Sequence, residues 1–280
     1  MRFSVFHFPS YDAIDIAELA VAVEDAGFTS LLFAEHMHVP LVGSDAHPGG
    51  GPIPDFYATL LDPIVAMTVA AAATRRLQVG TSICIVPPRD PIILAKQLAS
   101  IEYATRTRVV FGVGVGWNRK EIANHGVDPA RRWELMREHI RAMKELWTQP
   151  AAEFHGEHVD FDLVRQEPKP LHEPHPPILI GGNGRRAIEA VLDYGDGWIP
   201  SFALGDVPLA TRVSRLRERA AAVGRPDPHV AVTSVPADHE SIERCAAAGI
   251  DEVVFRLPTD RRDVVLEAVE RLSTVVAGLR

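Results

Sequence analysis

Short runs of β-branched and other apolar residues alternate with longer segments whose apolar positions recur at helical spacing, from one end of the chain to the other. The strand-like runs are Phe3 to Phe8, Ser30 to Ala34, Leu77 to Ile83, Arg108 to Val113, Ile178 to Ile180, Gly197 to Ile199, Val230 to Ser234 and Glu252 to Phe255. The intervening patterns predict helices over Ile14 to Ala26, Leu61 to Thr74, Pro91 to Thr105, Arg131 to Trp147, Arg185 to Tyr194, Val207 to Ala222, His239 to Ala247 and Asp260 to Leu279. Eight units of this kind around a parallel sheet close into a (β/α)8 TIM barrel more naturally than they extend an open sheet. Glycine ends two of the helices, in Ala26-Gly27-Phe28 and Ala248-Gly249-Ile250, where a left-handed residue stops the helix.

Two segments interrupt the rhythm. Residues 35–59 are rich in Gly, Pro and His and follow the second strand, on the barrel face where active sites are built, so they are expected to form a loop or lid facing the substrate. Residues 150–177 carry EFHGEHVDFD, which alternates like a hairpin, and then a proline-rich return, EPKPLHEPHPP. Both read as insertions in a single domain spanning residues 1–280.

A chain of 280 residues can bury the large core of such a barrel. The formal net charge of −8 opposes nonspecific nucleic-acid binding. Cys84 and Cys245 lie far apart without CxxC spacing, suggesting neither a disulfide framework nor a thiolate metal site. The start of the chain lacks the pattern of an export signal, and the longest apolar stretch, near Ile64 to Ala73, is too short to span a bilayer. A cytoplasmic protein without nucleic-acid or membrane partners is the expectation.

Candidate chemistry lies at strand ends. In RVVFGVGVGW, residues 108–117, a strand runs into Gly112, Gly114 and Gly116, where missing side chains would let a flat or anionic group approach the backbone. A second cluster, ILIGGNGR at 178–185, opens a helix, and the two look like walls of one cofactor site. Glu35-His36 ends the second strand, and imidazole suits proton transfer near neutral pH. His36-x-His38 also fits a metal site, but the later strand ends offer glycines in place of further ligands, so no metal is expected. The third strand continues toward a double proline, which suggests a bulge or an unusual peptide geometry at Thr81-Ser82-Ile83. Trp117 and Trp198 follow strand-end glycines and are expected to face a ring; Trp133 and Trp147 sit in helical surroundings and are expected to pack.

Together AGFTSLLFAEH, TSICIVPPRDPIILAKQLASIEYATRTRVVFGVGVGW, the RRWELMREHIRAMKELW helix and PPILIGGNGRRAIEAVLDYGDGWIP resemble the luciferase-like monooxygenase superfamily, especially its coenzyme F420-dependent oxidoreductases. The likeness runs from about residue 15 to residue 200. It implies a (β/α)8 barrel with an insertion between the fourth helix and the fifth strand, in agreement with the period count.

By that resemblance His36, preceded by Glu35, is the candidate general acid or base beside the reactive face of a deazaflavin. Ser82-Ile83 stands where several relatives hold a non-prolyl cis peptide behind the ring. Gly114, Gly116 and Trp117 would border the ring and its ribityl chain, although some sugar-phosphate dehydrogenases of the family carry a catalytic Glu where Trp117 stands. Gly181, Gly182, Asn183, Gly184 and Arg185 match a phosphate cradle, in which glycines admit close approach and helix N-terminal amides donate; Arg186 is expected to be a solvated helix residue. The implied chemistry is hydride transfer between coenzyme F420 and a small organic substrate. FMN in a monooxygenase or reductase of the same fold is the alternative, and a noncatalytic flavin-binding protein is a third reading. Arg89, Arg119 and Lys120 are available for the longer acidic tail of the deazaflavin. The apolar face of the last helix could pack on the barrel or on a second copy, so a homodimer is a candidate assembly.

Overall fold

The structure, a computed structural model, describes residues 1–203 and 207–279. Its centre is a closed parallel barrel of β1 (Arg2–His7), β2 (Ser30–Phe33), β3 (Gln78–Ile85), β4 (Val109–Gly114), β7 (Ile178–Gly181), β8 (Gly197–Ile199), β9 (His229–Thr233) and β10 (Glu252–Arg256). These are the eight strands expected from the periodicity. Around them lie α1 (Ile16–Asp25), α2 (Pro63–Ala73), α3 (Pro91–Thr105), α5 (Arg132–Thr148), α6 (Arg185–Asp193), α7 (Leu209–Ala222), α8 (His239–Ala247) and α9 (Arg262–Ala277). Strand alternation divides the core: Val5, Leu31, Phe33, Phe111 and Phe255 pack outward under the helices, while Phe6, Leu32, Leu179, Ala231 and Val254 fill the interior.

Helix starts follow local chemistry. Asp62 accepts from the Ile64 N–H at 2.8 Å with Pro63 at the first helical position, and Asp90 accepts from the Ile93 N–H at 2.8 Å ahead of Pro91. Asp15 caps α1 in the same way through the Glu18 N–H, so this helix begins two residues later than the apolar period alone predicts.

The 150–177 excursion holds the expected antiparallel hairpin, β5 (Ala152–His155) with β6 (Asp160–Val164). Buried Glu102 of α3 ties its return to the barrel, accepting from the Leu171 and His172 N–H groups at 2.7 and 3.1 Å and bonding His172 Nδ1 at 2.6 Å. Two further elements were not anticipated: a 3-10 turn over Asp55–Thr59 in the first insertion, and a short helix α4 (Arg119–Asn124) after β4.

His7 ends β1 fully buried, with neither ring nitrogen in a hydrogen bond of ordinary geometry. Burial pushes it down to about 4 from an ordinary 6.5, against a weak opposing pull from the Pro258 carbonyl. A folded-state value below the unfolded one means that keeping His7 neutral costs nothing above pH 6.5 and progressively more as pH falls toward 4. At about 1.4 kcal/mol per pH unit, this one side chain removes about 3 kcal/mol of stability over that interval. Urea unfolding across pH 4 to 7 is expected to show that loss, and His7→Phe to flatten it by a similar amount.

Candidate active site

The carboxyl ends of β1 to β4 meet where the first insertion folds over the barrel mouth. Immediately after β2 the chain diverges into two acid pairs. Glu35 is buried and turns beneath the mouth: its Oε2 accepts from the Ile85 N–H at 2.5 Å, and its Oε1 from Arg89 Nε at 2.9 Å and from Arg89 Nη2. Burial pushes the Glu35 carboxyl up, while Arg89 and the Ile85 N–H pull it back. Arg89 itself, also bonded to Asp62 at 2.7 Å, is held above its ordinary basicity by its anionic neighbours. It is thus committed to Glu35 and Asp62.

His36 turns the other way. Its Nδ1 lies 2.8 Å from Oε2 of Glu121, a wholly buried carboxylate on α4 whose Oε1 accepts from the Met37 N–H at 2.8 Å. Its Nε2 accepts from the Trp117 indole N–H at 3.1 Å. An indole nitrogen can only donate and a carboxylate can only accept, so this network assigns the proton to Nδ1 and leaves Nε2 as the basic nitrogen. Glu121 is the functional residue that the sequence reading missed. Its signal was local: Asn118 caps α4, accepting from the Lys120 and Glu121 N–H groups, and Asn-x-x-Glu has the spacing of a capping box.

From the first insertion, Tyr57 lies over His36 with ring centroids 4.6 Å apart, and its hydroxyl meets His47 Nε2 at 3.1 Å. His47 in turn stands edge-on to Trp117 at 5.7 Å. Burial raises the Tyr57 phenol, so it stays protonated and available as a donor. His38 leaves this group, bonding Asn124 at 2.9 Å, and among the described residues no three His, Cys, Asp or Glu side chains converge in a metal-holding arrangement.

The Ser82–Ile83 peptide is cis, and the ladder to β4 shifts register between Thr81 and Cys84. Ile83 enters the mouth of the barrel and occupies the space that the glycines vacate. A Cβ on Gly114 would stand 2.8 Å from its Cδ1, and one on Gly181 2.7 Å from its Cγ2. At Gly114 and Gly181 the face read as bare backbone for a ligand is therefore filled by Ile83, and at Gly112 the Thr81 carbonyl takes that place. Gly116, at φ +71°, serves a turn packed on Ile85 and Ile122.

Past Gly181 the chain is open. Gly182 has φ +104° and is exposed, and a side chain at Gly184 would meet nothing within 4 Å. Asn183 holds this turn, donating to the Ser201 carbonyl at 2.9 Å and accepting from the Ser201 N–H at 3.0 Å. The first N–H groups of α6, which no helix satisfies internally, follow directly. Trp198, expected to face a ring, is fully buried instead; its indole N–H bonds the Gly182 carbonyl at 2.8 Å, so it braces the cradle from within. Arg185, expected to add charge to the cradle, is 84% exposed and reaches Glu189 at 3.4 Å.

A family model described as luciferase-like monooxygenase matches residues 1–265. An uncharacterized protein of Mycobacterium tuberculosis is 36% identical over 282 residues, covering 99% of both chains. An FMNH(2)-dependent dimethylsulfone monooxygenase of Pseudomonas putida is 35% identical over 156 residues, which are 55% of this chain and 42% of that protein. Among solved structures, an F420-dependent secondary alcohol dehydrogenase in complex with an F420-acetone adduct aligns at TM-score 0.78 and 19% identity, over 100% of this chain and 99% of that one. The closed barrel, its insertion after α5 and the match along nearly the whole sequence agree: the chain belongs to the luciferase-like monooxygenase family.

Proposed function

We propose that the chain is an oxidoreductase that uses coenzyme F420 and acts on a small organic substrate through His36. The observation carrying this reading is His36 itself, poised at the barrel mouth with Nδ1–H on a buried carboxylate and Nε2 toward Trp117. The fit to the cofactor rests on the open turn at Gly182–Gly184, which suits a phosphate, and on Ile83, which offers an apolar floor for a planar ring. The full-length alignment with F420-dependent enzymes supports the deazaflavin. The identity shared with the FMNH(2)-dependent monooxygenase favours FMN as a second reading.

When bound, the deazaflavin would supply hydride chemistry. The chain contributes the proton. Nε2 of His36, once a bound alcohol displaces the Trp117 indole N–H from its lone pair, takes the hydroxyl proton as the alcohol becomes a carbonyl, or returns it in the reverse direction, and Glu121 stabilises the imidazolium formed. Trp117 and Tyr57 wall off this nitrogen and exclude water. The second carboxylate of the region, Glu35, acts through position: it ties the end of β2, next to His36, to the β3 segment carrying Ile83.

Equilibrium titration of the purified chain with F420 and, separately, FMN, followed by ring fluorescence, tests the reading. Tighter F420 binding supports it, preference for FMN moves the assignment to the second reading, and binding of neither removes both. Glu121→Gln tests the proton relay. A Gln has one carbonyl oxygen for two donors, the His36 and Met37 N–H groups, so one loses its acceptor. The expected result is a roughly 10- to 100-fold fall in kcat with little change in cofactor affinity.

A further inference from the structure

The last barrel strand, β10, ends at the mouth with Arg256, and register sets where that side chain goes. Arg256 is level with Phe6 of β1 and shares the inward parity of Val254, whereas Phe255 between them packs outward. The guanidinium stands over the Phe8 ring, 5.0 Å from its centre. Stacking of this kind orients the group and leaves N–H donors free at its edge. Glu267 and Arg271 share the outer recess beside Arg256, yet among the described residues no carboxylate comes within 4.0 Å of the guanidinium. Arg89, just past β3, is by contrast held by both Glu35 and Asp62.

A line of rings leads from this cation to the imidazole. Phe8 lies 5.3 Å from Tyr57, and Tyr57 4.6 Å from His36. Phe56 flanks the line, 5.2 Å from Phe8 and 5.0 Å from Tyr57. The charge is felt along it, since Arg256 pulls the Tyr57 phenol down against the larger effect of burial. One end of the region thus offers a proton carrier, the middle is apolar, and the far end holds a cation that no side chain neutralises.

We propose that Arg256 is a specificity-determining residue that binds a carboxylate of the substrate, a hydroxy or oxo acid whose hydrocarbon segment lies along Phe8 and Tyr57 and whose oxygen reaches His36. This deepens the reading of His36 above and rests on it. A guanidinium presents paired N–H groups to a carboxylate, and the apolar ring surface beside it strengthens the contact. Two rings separate the ends, so an acid with adjacent functional groups cannot engage both, and a longer chain can.

The test is isothermal titration calorimetry of the full chain, carrying whichever of F420 and FMN it binds and alone if it binds neither, with 8-oxononanoate, its methyl ester and pyruvate. The natural sequence, Arg256→Gln and Arg256→Lys are compared. The natural chain is expected to bind the long acid about tenfold more tightly than its ester, a preference that shrinks with added salt, and to bind pyruvate more weakly than the long acid. Arg256→Gln is expected to bring the acid to the level of its ester, and Arg256→Lys to keep part of the preference. Equal binding of acid and ester, equal binding of pyruvate and the long acid, binding of none of them, or an acid preference that survives Arg256→Gln overturns the proposal and leaves His36 and the cofactor reading standing. An acid preference that depends on Arg256, found together with undiminished turnover in His36→Ala, keeps the anion site and overturns the reading on which the proposal rests.

Discussion

Replacing His36 with alanine is expected to lower turnover between about 10²- and 10⁴-fold while cofactor affinity changes little, because a positioned acid or base contributes on that order and the residue lies at the mouth rather than at the glycine turn. The size of the effect follows from the absence of a substitute in the local network. Tyr57 is held protonated by burial, Trp117 can only donate, and Glu121 is spent on the Met37 N–H as well as on the imidazole. His47 lies beyond Tyr57 and bonds its hydroxyl. Single-turnover reduction or oxidation of the bound cofactor, measured beside a binding titration, separates the two quantities. A His36→Ala chain that retains turnover within a few-fold of the natural chain would remove the imidazole from the chemistry. Restoration of turnover by added imidazole would tie the loss to the missing proton carrier.

The second large effect is on stability. Glu35→Ala is expected to cost about 3–5 kcal/mol, since removing one partner of a buried ion pair strands the other. Arg89 would keep only Asp62, whose side chain is 45% exposed, and the Ile85 N–H would lose its acceptor. The penalty is one of desolvation, so it is largest when only one charge is removed. The double change Glu35→Leu with Arg89→Met is therefore expected to recover much of the loss. Urea midpoints at constant slope read both. Recovery in the double variant without recovery of turnover would mark Glu35 as the residue that sets the segment around His36 and Ile83.

Much of this was legible before the chain was folded. The barrel followed from period alone, because a strand buried under helices must be apolar along its length and a helix must show a stripe; β1, β2 and β4 fall within a residue or two of their predicted bounds. The hairpin at β5 and β6 and the irregularity at Thr81 to Cys84 were also readable, one from alternation and the other from a strand too long for its barrel. Glu121 was not. It stands 85 residues from His36 in sequence, and only the adjacency of the loops above β2 and β4 makes it a partner. Trp198 looked like Trp117 in its local setting, yet β8 turns it inward and leaves it fully buried.

The glycines show the same division. From the residues alone, glycine stands at 114 and 181, and the family, the barrel and the position of His36 at a strand end could be read. Tertiary structure alone decided what fills that space, Ile83 from the neighbouring strand. It also decided which carboxylate serves which cation: Glu35 goes to Arg89, and Glu121 to His36. Periodicity records which way a residue faces relative to its own element, and that is a local property. Pairing between elements depends on distances across the barrel mouth, which exist only once the sheet has closed.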